Sequence, residues 1–204
     1  MKELFVFLLT LSCYFCQEQF SLPTFPAKIP VAAVPSNISF SLIPIISNLT
    51  SVSSSRFVHF PKMNHSVLVI AQQSGQIIWV DLQNDTLVPH LLLDLSPVVG
   101  PLNQNYDERG VLGIEFHPQF NTTNPIFWVI YTNIYGNNIS ATCNESRVDH
   151  FWFLDEFMYH SDSQMSSKVR SLVTMSHPYL NHNGVNSIRF NPQDKSLYFG
   201  IGGL

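Results

Sequence analysis

Charged side chains are scarce in this 204-residue chain, in which Asp, Glu, Lys and Arg make up 12% of the residues. That is about half of the share usual in soluble proteins. The Lys and Arg residues are scattered along the chain, and the net charge is −4. A protein that binds nucleic acid needs a basic patch or stripe to neutralise phosphates. The sequence therefore predicts no nucleic-acid partner.

The signatures of several enzyme classes are absent as well. The eight His residues form no His-Glu-x-x-His pattern, and the chain has neither a Gly-x-Ser-x-Gly segment nor a phosphate-binding glycine loop. Such patterns place a zinc ion, a nucleophilic serine or a nucleotide phosphate. Their absence argues against a zinc protease, an α/β-hydrolase and a P-loop enzyme, and no metal ligand is predicted.

The N-terminus has an apolar run that is too short to cross a bilayer. Lys2 precedes the run Leu4–Leu11, and Ser12–Cys16 then leads into polar Gln17. A spanning helix takes about 20 apolar residues, whereas a positive residue before a short apolar run is typical of a secretory signal peptide. We predict a signal peptide over residues 1–16, no membrane span and a secreted, extracellular protein. The alternative is a buried N-terminal strand or helix.

Sequons for N-glycosylation are plentiful. A single Asn-x-Ser/Thr tripeptide is a weak signal, because it arises by chance in a chain rich in Ser and Asn. Behind a signal peptide, several together predict glycans on exposed turns and a eukaryotic secretory route. The seven sequons are at Asn37, Asn48, Asn64, Asn84, Asn121, Asn138 and Asn144.

Cysteine is nearly absent. The three cysteines are Cys13, Cys16 and Cys143, and cleavage after residue 16 leaves Cys143 alone, which excludes a cysteine-based zinc site. A lone thiol in a secreted protein indicates an intermolecular disulfide or a disulfide partner missing from this sequence. An unpaired cysteine is the alternative.

Proline and turn residues divide the remaining chain into two regions. Residues 17–55 hold closely spaced prolines and a Ser-rich end, which forbid a helix and spoil central strands. We interpret them as a Pro/Ser-rich lead-in. From Arg56 onward, short apolar runs alternate with turn signals, which predicts an all-β domain over 56–204. The predicted strands are 66–71, 76–81, 91–95, 111–117, 126–132, 148–154, 169–175, 187–190 and 196–199.

Two segments of this region repeat one pattern. Gly113–Pro118 reads Gly-Ile-Glu-Phe-His-Pro, and Ser187–Pro192 reads Ser-Ile-Arg-Phe-Asn-Pro. Each is followed by a polar turn and an aromatic strand. A recurring unit of this kind favours the repeated blades of a β-propeller, and the alternative is a common strand–turn–strand unit.

Two longer stretches carry a family resemblance. Asp107–Phe120 reads Asp-Glu-Arg-Gly-Val-Leu-Gly-Ile-Glu-Phe-His-Pro-Gln-Phe, and it resembles the Glu-Arg-Gly-Leu-Leu-Gly-x-x-Phe-His-Pro-x-Phe signature of the glucose/sorbosone dehydrogenase family. Asn181–Gly202 resembles the family's His-Asn-Gly-Gly strand and the Leu-Tyr-x-x-x-Gly-Asp-Gly-Gly that follows, and Val69–Ile77 is similar to its first hairpin. The family includes soluble bacterial aldose dehydrogenases and hedgehog-interacting-protein-like proteins.

The resemblance covers about residues 56–204 and implies a fold and a chemistry. The family's fold is a six-bladed β-propeller, so this stretch implies a partial propeller of about two to three blades. Active members use pyrroloquinoline quinone (PQQ) with calcium to oxidise a small sugar. By resemblance, His182 stands at the position of the general base, a role that suits an imidazole near neutral pH. A turn histidine bonded to Asn181 and Asn183 is the alternative.

The same resemblance gives the cofactor-binding positions Glu108, Asn183 and Gly184. Bacterial members have Gln where this chain has Glu108, and a carboxylate near an anionic tricarboxylate is unfavourable unless a cation intervenes. The alternative is a Glu108–Arg109 pair that orders the turn before a strand.

Two departures from the family pattern weaken the implied quinone site. Val185 replaces the second Gly of His-Asn-Gly-Gly, and Gly203 stands where the family has Asp. Because the chain ends inside this motif, we expect a truncated propeller, incomplete at the C-terminus, that binds neither PQQ nor calcium and is inactive by itself. Two functions stay open: a PQQ-dependent sugar dehydrogenase, and a non-catalytic extracellular module that binds a protein ligand, like the hedgehog-interacting relatives.

Overall fold

The computed structural model describes residues 45–102, 107–134, 150–177 and 185–201. They form an all-β unit, as predicted, with one helical turn, α1 (Ser96–Val99). The strands are β1 (Val52–His59), β2 (Ser66–Gln72), β3 (Gln76–Val80), β4 (Pro89–Asp94), β5 (Val111–Phe116), β6 (Ile126–Ile134), β7 (His150–His160), β8 (Met165–His177), β9 (Val185–Asn191) and β10 (Ser196–Ile201).

The strands make two four-stranded sheets and one hairpin, all antiparallel. The first sheet has the order β1-β2-β3-β4, the second sheet β5-β6-β7-β8, and the last hairpin pairs β9 with β10. Within each of these three groups, every strand pairs with the next one along the chain, as in a meander of antiparallel neighbours. Within the described part of the chain, none of the sheets closes on itself.

The predicted β2–β3 hairpin is present, and its turn depends on glycine. Gly75 has φ +119°, and a Cβ there would lie 2.4 Å from the backbone nitrogen of Ser96. Only a residue without a side chain adopts this conformation against neighbouring backbone at no steric cost. The turn thereby brings α1 against the end of the first sheet, where Leu95 donates its N–H to the carbonyl of Gly75 at 3.0 Å.

The second sheet is the middle layer of the unit, because it buries apolar side chains on both faces. On one face, the ring of Phe60 packs against the rings of Trp79, Phe120 and Tyr159, with centroids 5.4, 5.3 and 5.0 Å away. Aromatic pairs at this spacing add stability beyond the area that they bury. This larger core joins the first sheet to the second.

The other face of the second sheet packs against the last hairpin. The rings of Trp128 and Phe190 are nearly parallel, with centroids 5.6 Å apart, and Ile188 is buried beside them. Burying side chains of this size contributes about 1.5–3 kcal/mol each. The hairpin is therefore held by its own apolar cluster, separate from the larger core.

The first strands of the three groups lie side by side, with β5 between β1 and β9. A small residue makes this close approach feasible, because a Cβ on Gly113 would lie 3.1 Å from Cγ2 of Ile188. The two repeated sequence segments form β5 and β9. Ile114 and Phe116 belong to the larger core, and Ile188 and Phe190 pack into the smaller one. The repeat thus marks equivalent strands.

Two boundaries differ from the sequence interpretation. Val52–Ser55, predicted as the end of the lead-in, are the first half of β1. The predicted strand 169–175 extends further, since His177 is the last residue of β8, fully buried and stacked on His150 with ring centroids 4.8 Å apart. The predicted signal peptide and residues 17–44 lie outside the described residues. No helix among the described residues is long and apolar enough to cross a membrane.

Candidate functional site

The segment that carries the first family motif joins the two sheets. The carboxylate of Asp107 accepts two hydrogen bonds from the buried guanidinium of Arg109, from Nε and Nη2, both at 2.8 Å. The side-chain amide of Gln73, in the β2–β3 turn, donates to the carbonyls of Asp107 and Arg109 at 2.6 and 2.7 Å. A bidentate pair of this kind is strong and fixes geometry.

Gly110 is the point of closest approach in this joint. Its φ is +113°, and a Cβ would lie 2.1 Å from the carbonyl oxygen of Gln73. Its N–H donates to Oγ1 of Thr132 at 2.7 Å, and the N–H of Val111 donates to the carbonyl of Gln73 at 2.9 Å. The Arg-Gly of the motif therefore has an architectural explanation.

Glu108 is half-buried between Asp107 and Arg109. The described residues of this joint do not fit a tricarboxylate quinone, because Arg109 is held by Asp107 and Glu108 adds another carboxylate. In the described ranges, no group of three His, Cys, Asp or Glu side chains could hold a metal ion. The predicted site residues His182, Asn183 and Gly184, as well as Cys143, lie outside the described residues.

Four predicted glycosylation sites fall in the described residues, and none of them is in a strand. Asn48 precedes β1, Asn64 lies in the β1–β2 turn, and Asn84 lies in the β3–β4 connection; all three are exposed. Asn121, in the β5–β6 connection, is half-buried. Placement on exposed loops is what glycan attachment requires. Asn37, Asn138 and Asn144 lie outside the described residues.

A groove of about 360 Å³ runs between the beginnings of β1, β5 and β9. Its volume is within the range of about 300–1,000 Å³ usual for small-molecule sites. Its lining is polar, with serine hydroxyls, two arginines and no Asp or Glu: Val52, Ser53, Ser54, Ser55, Arg56, Gly113, Ser187, Ile188 and Arg189.

Three charged side chains, one from each first strand, meet beside this groove. Oε2 of Glu115 on β5 lies 3.2 Å from Nε of Arg56 on β1 and 3.3 Å from Nη1 of Arg189 on β9. The side chains of Arg56 and Glu115 are 21% and 16% exposed, whereas that of Arg189 is 64% exposed. We call these three residues the axial triad. Its net charge of one positive unit favours an anion in the groove.

Burial and charge pull in opposite directions on the triad's carboxylate. Desolvation raises the pKa of Glu115, and the Coulombic attraction and hydrogen bond of Arg56 only partly offset that rise. Arg56 is itself anchored, because Nη1 donates to the carbonyl of Ser55 at 2.7 Å and Nη2 to that of Ile188 at 3.4 Å. Arg189 is the more loosely held arginine.

A second set of buried carboxylates lies in β7, on opposite faces of the second sheet. Asp155 accepts from the hydroxyl of Tyr131 at 2.5 Å and lies 2.6 Å from Nζ of Lys168. Glu156 accepts from Nε1 of Trp128 at 3.1 Å and pairs with Arg170 at 2.9 Å. Burial, and secondarily the Asp155 hydrogen bond, raises the pKa of Tyr131 far above its ordinary value. Both contacts of Asp155 use Oδ2, whereas its buried Oδ1 makes no hydrogen bond to the described residues.

The axial triad was missed at the sequence level, although a signal for it exists. In the repeated pattern small-Ile-x-Phe-x-Pro, the variable position is Glu115 in one copy and Arg189 in the other. Opposite charges at equivalent positions predict a contact once the two copies lie side by side. Arg56 precedes Phe57 in the same way in β1.

No protein-family model and no curated protein matches this chain. The resemblance to glucose/sorbosone dehydrogenases therefore rests on the quoted sequence stretches alone. One of them, around Arg109 and Gly110, serves the joint between the sheets.

Proposed function

We propose that this chain is a secreted, N-glycosylated binding module, built from propeller-type blades, that holds an extracellular ligand in the groove between its first strands. The observation that carries the proposal is the convergence of β1, β5 and β9 on one polar groove, with one charged side chain of the axial triad from each. Concave sites with a few convergent polar groups are the usual form of ligand sites.

The propeller-type architecture is supported by the blade-like form of the two sheets. Each is a four-stranded antiparallel meander, which is the unit that propellers repeat around an axis. The repeated segments Gly113–Pro118 and Ser187–Pro192 supply equivalent first strands. In such an arrangement the first strands surround the axis, so the groove would lie where a central channel begins.

A binding role is favoured over sugar oxidation by the residues of the first motif. Asp107, Arg109 and Gly110 are engaged in the joint between the sheets, and Glu108 adds a carboxylate where a tricarboxylate would have to bind. Val185 also stands where the family has Gly. The rival function, a PQQ-dependent sugar dehydrogenase, is favoured by His182 at the position of the family's base.

One experiment tests secretion, glycosylation and sugar oxidation by this chain. The full chain is produced in eukaryotic cells and collected from the medium, and its loss of mass after enzymatic removal of N-glycans tests secretion and glycosylation. Reduction of a dye by an aldose is then measured with added PQQ and calcium, for the natural chain and for His182→Ala. We expect no turnover that depends on His182.

Turnover that is abolished in His182→Ala would overturn the binding-module proposal in favour of the dehydrogenase. Retention of the chain inside the cell, without glycans, would overturn its extracellular part. Full-length expression with an intact fold is checked by the far-ultraviolet circular dichroism spectrum of a β protein, which His182→Ala should share with the natural chain.

A further inference from the structure

We infer that the groove selects a small ligand that carries a carboxylate, which the guanidinium of Arg189 binds at the groove's open side. The inference rests on the proposed function, because it assigns a ligand class to the same groove. It is argued from the donors, the charges and the size of the groove.

Arg189 has donors to spare. Its Nη1 contacts Oε2 of Glu115 at 3.3 Å and the carbonyl of Ile188 at 3.1 Å, and its Nε and Nη2 make no hydrogen bond to the described residues. The side chain is 64% exposed, so it can turn towards a ligand. A guanidinium presents its donors in a planar fork that matches the two oxygens of a carboxylate.

The surroundings of Arg189 favour an anion. The lining contains no Asp or Glu and includes four serines, a residue type whose hydroxyl can donate a hydrogen bond. The carboxylate of Glu115, which lies beside the groove, is shared with Arg56, which holds it at 3.2 Å. Glu115 thus neutralises only one of the two arginines.

Glu115 acts as an internal competitor for the position of the ligand's carboxylate. A ligand that binds Arg189 replaces a long, single contact of 3.3 Å by a two-point contact, while Arg56 keeps Glu115 paired. The exchange therefore leaves no buried charge without a partner, which would be costly. Removing the charge of Glu115 should consequently tighten ligand binding.

The groove's size limits the ligand to a small molecule. A volume of about 360 Å³ is near the lower end of the range for small-molecule sites. A monosaccharide acid or a short organic acid has this size. D-glucuronate and D-glucose are a matched pair of probes, since they differ in whether carbon 6 is a carboxylate or a hydroxymethyl group.

The test is a titration of the full chain with D-glucuronate, D-glucose and inorganic phosphate, followed by isothermal calorimetry at low ionic strength. We expect the affinity for D-glucuronate to be at least about 10-fold higher than the affinity for D-glucose, since one charge-assisted hydrogen bond contributes a factor of this size. Arg189→Gln should weaken glucuronate binding about 10-fold, and Glu115→Gln should strengthen it.

Lys195→Gln is the matched control, because it removes one positive charge from the exposed turn of the same hairpin, outside the groove. It should leave the affinity within about twofold if the effect is local rather than a change of net charge. Thermal unfolding of each variant confirms that the fold is kept, and Arg189→Gln should be harmless because its side chain is largely exposed.

Three outcomes would overturn the inference. They are equal affinity for glucuronate and glucose, glucuronate binding that Arg189→Gln leaves unchanged, and binding of phosphate through Arg189 without binding of glucuronate. None of these bears on the dye-reduction assay. If that assay shows no His182-dependent turnover while glucuronate fails to bind, the binding module stands and the carboxylate ligand falls.

Discussion

At the scale of single residues, the axial triad concentrates the electrostatics of this protein. Glu115 is held between Arg56 and Arg189, and burial raises its pKa from an ordinary value of 4.5 in spite of the arginine beside it. Its protonation is therefore easier in the folded chain than in an unfolded one. Protonated Glu115 no longer competes with a ligand's carboxylate for Arg189.

This gives a pH prediction for the groove. As the pH falls from neutrality towards the raised pKa of Glu115, the affinity for glucuronate should rise, because Glu115 gains a proton while the ligand stays ionised. The affinity of Glu115→Gln should be high and nearly independent of pH. The groups that face Glu115 are Arg56 and Arg189, with His59 and His117 in the adjoining pocket. Calorimetry at several pH values measures the effect.

The histidines are present in both proteins, so the variant serves as their control. A slope of equal size in Glu115→Gln would assign the pH dependence to His59 or His117 instead. The free energy of unfolding should likewise be higher at low pH than at neutral pH as far as Glu115 contributes to it. The contribution of protonated Glu115 is fully present below pH 4.5 and is lost as the pH rises through the raised pKa.

The sequence predicted candidate site residues from the family motifs, but it did not predict the axial triad. Glu108 and His182 came from a family motif, whereas Arg56, Glu115 and Arg189 form their contacts only because three strands far apart in the chain lie side by side. No local pattern contains that arrangement. Glu115 and Arg189 differ in charge at the variable position of the repeat. This difference predicts a contact only once the packing of β5 against β9 is known.

At the scale of elements, strands with alternating or continuous apolar residues were predicted well. The predicted 66–71, 76–81 and 126–132 agree with β2, β3 and β6 to within two residues. The tip of the β7–β8 hairpin was missed. Asp155 and Glu156 interrupt the apolar pattern of β7 although both are buried, and most of Met165–Arg170 is exposed. Pairing with β7 rather than burial therefore maintains the start of β8 in the sheet.

The joint between the sheets allows a sharp test with glycine. Gly110→Ala should lower the free energy of unfolding by about 2 kcal/mol or more, because φ is +113° and the new Cβ would meet the Gln73 carbonyl at 2.1 Å. In Gly200→Ala the Cβ would lie 3.3 Å from Oγ of Ser187, a side-chain atom that can rotate away. That control should change stability by less than about 0.5 kcal/mol. Urea denaturation measures both.

A near-normal stability of Gly110→Ala would mean that the joint can open without loss of the sheet packing. The Arg-Gly of the motif would then need another explanation, and ligand binding by this segment would become the favoured one. Because the side-chain amide of Gln73 donates two of the joint's hydrogen bonds, Gln73→Ala should weaken the same joint from its other side.

At the scale of the whole molecule, the second sheet is shared by two apolar cores. Such a middle layer was not predictable from composition or period alone, since a sandwich, a barrel and a propeller use the same alternating strands. The layered arrangement depends on which face of the second sheet each of its aromatic side chains lies on. Tyr159 turns towards the first sheet, where it meets Phe60, and Trp128 and Trp152 turn towards the last hairpin.

The packing between the sheets can be tested with two phenylalanines of one segment. Phe60→Ala should destabilise the chain by about 3–5 kcal/mol, because the ring is fully buried at the centre of the aromatic cluster. Phe57→Ala removes a ring that is 69% exposed and should cost less than about 0.5 kcal/mol. Equal effects in chemical denaturation would contradict the layered packing.

Because each sheet and the hairpin supply one member of the axial triad, the groove is assembled from three separate parts of the chain. The hairpin is attached through its own apolar cluster, so it can detach locally while the first two sheets stay folded. A ligand bound in the groove would then hold the hairpin against the two sheets. Amide hydrogens of β9 and β10 should exchange more slowly in saturating ligand, whereas those of β2 and β3 should keep their rates.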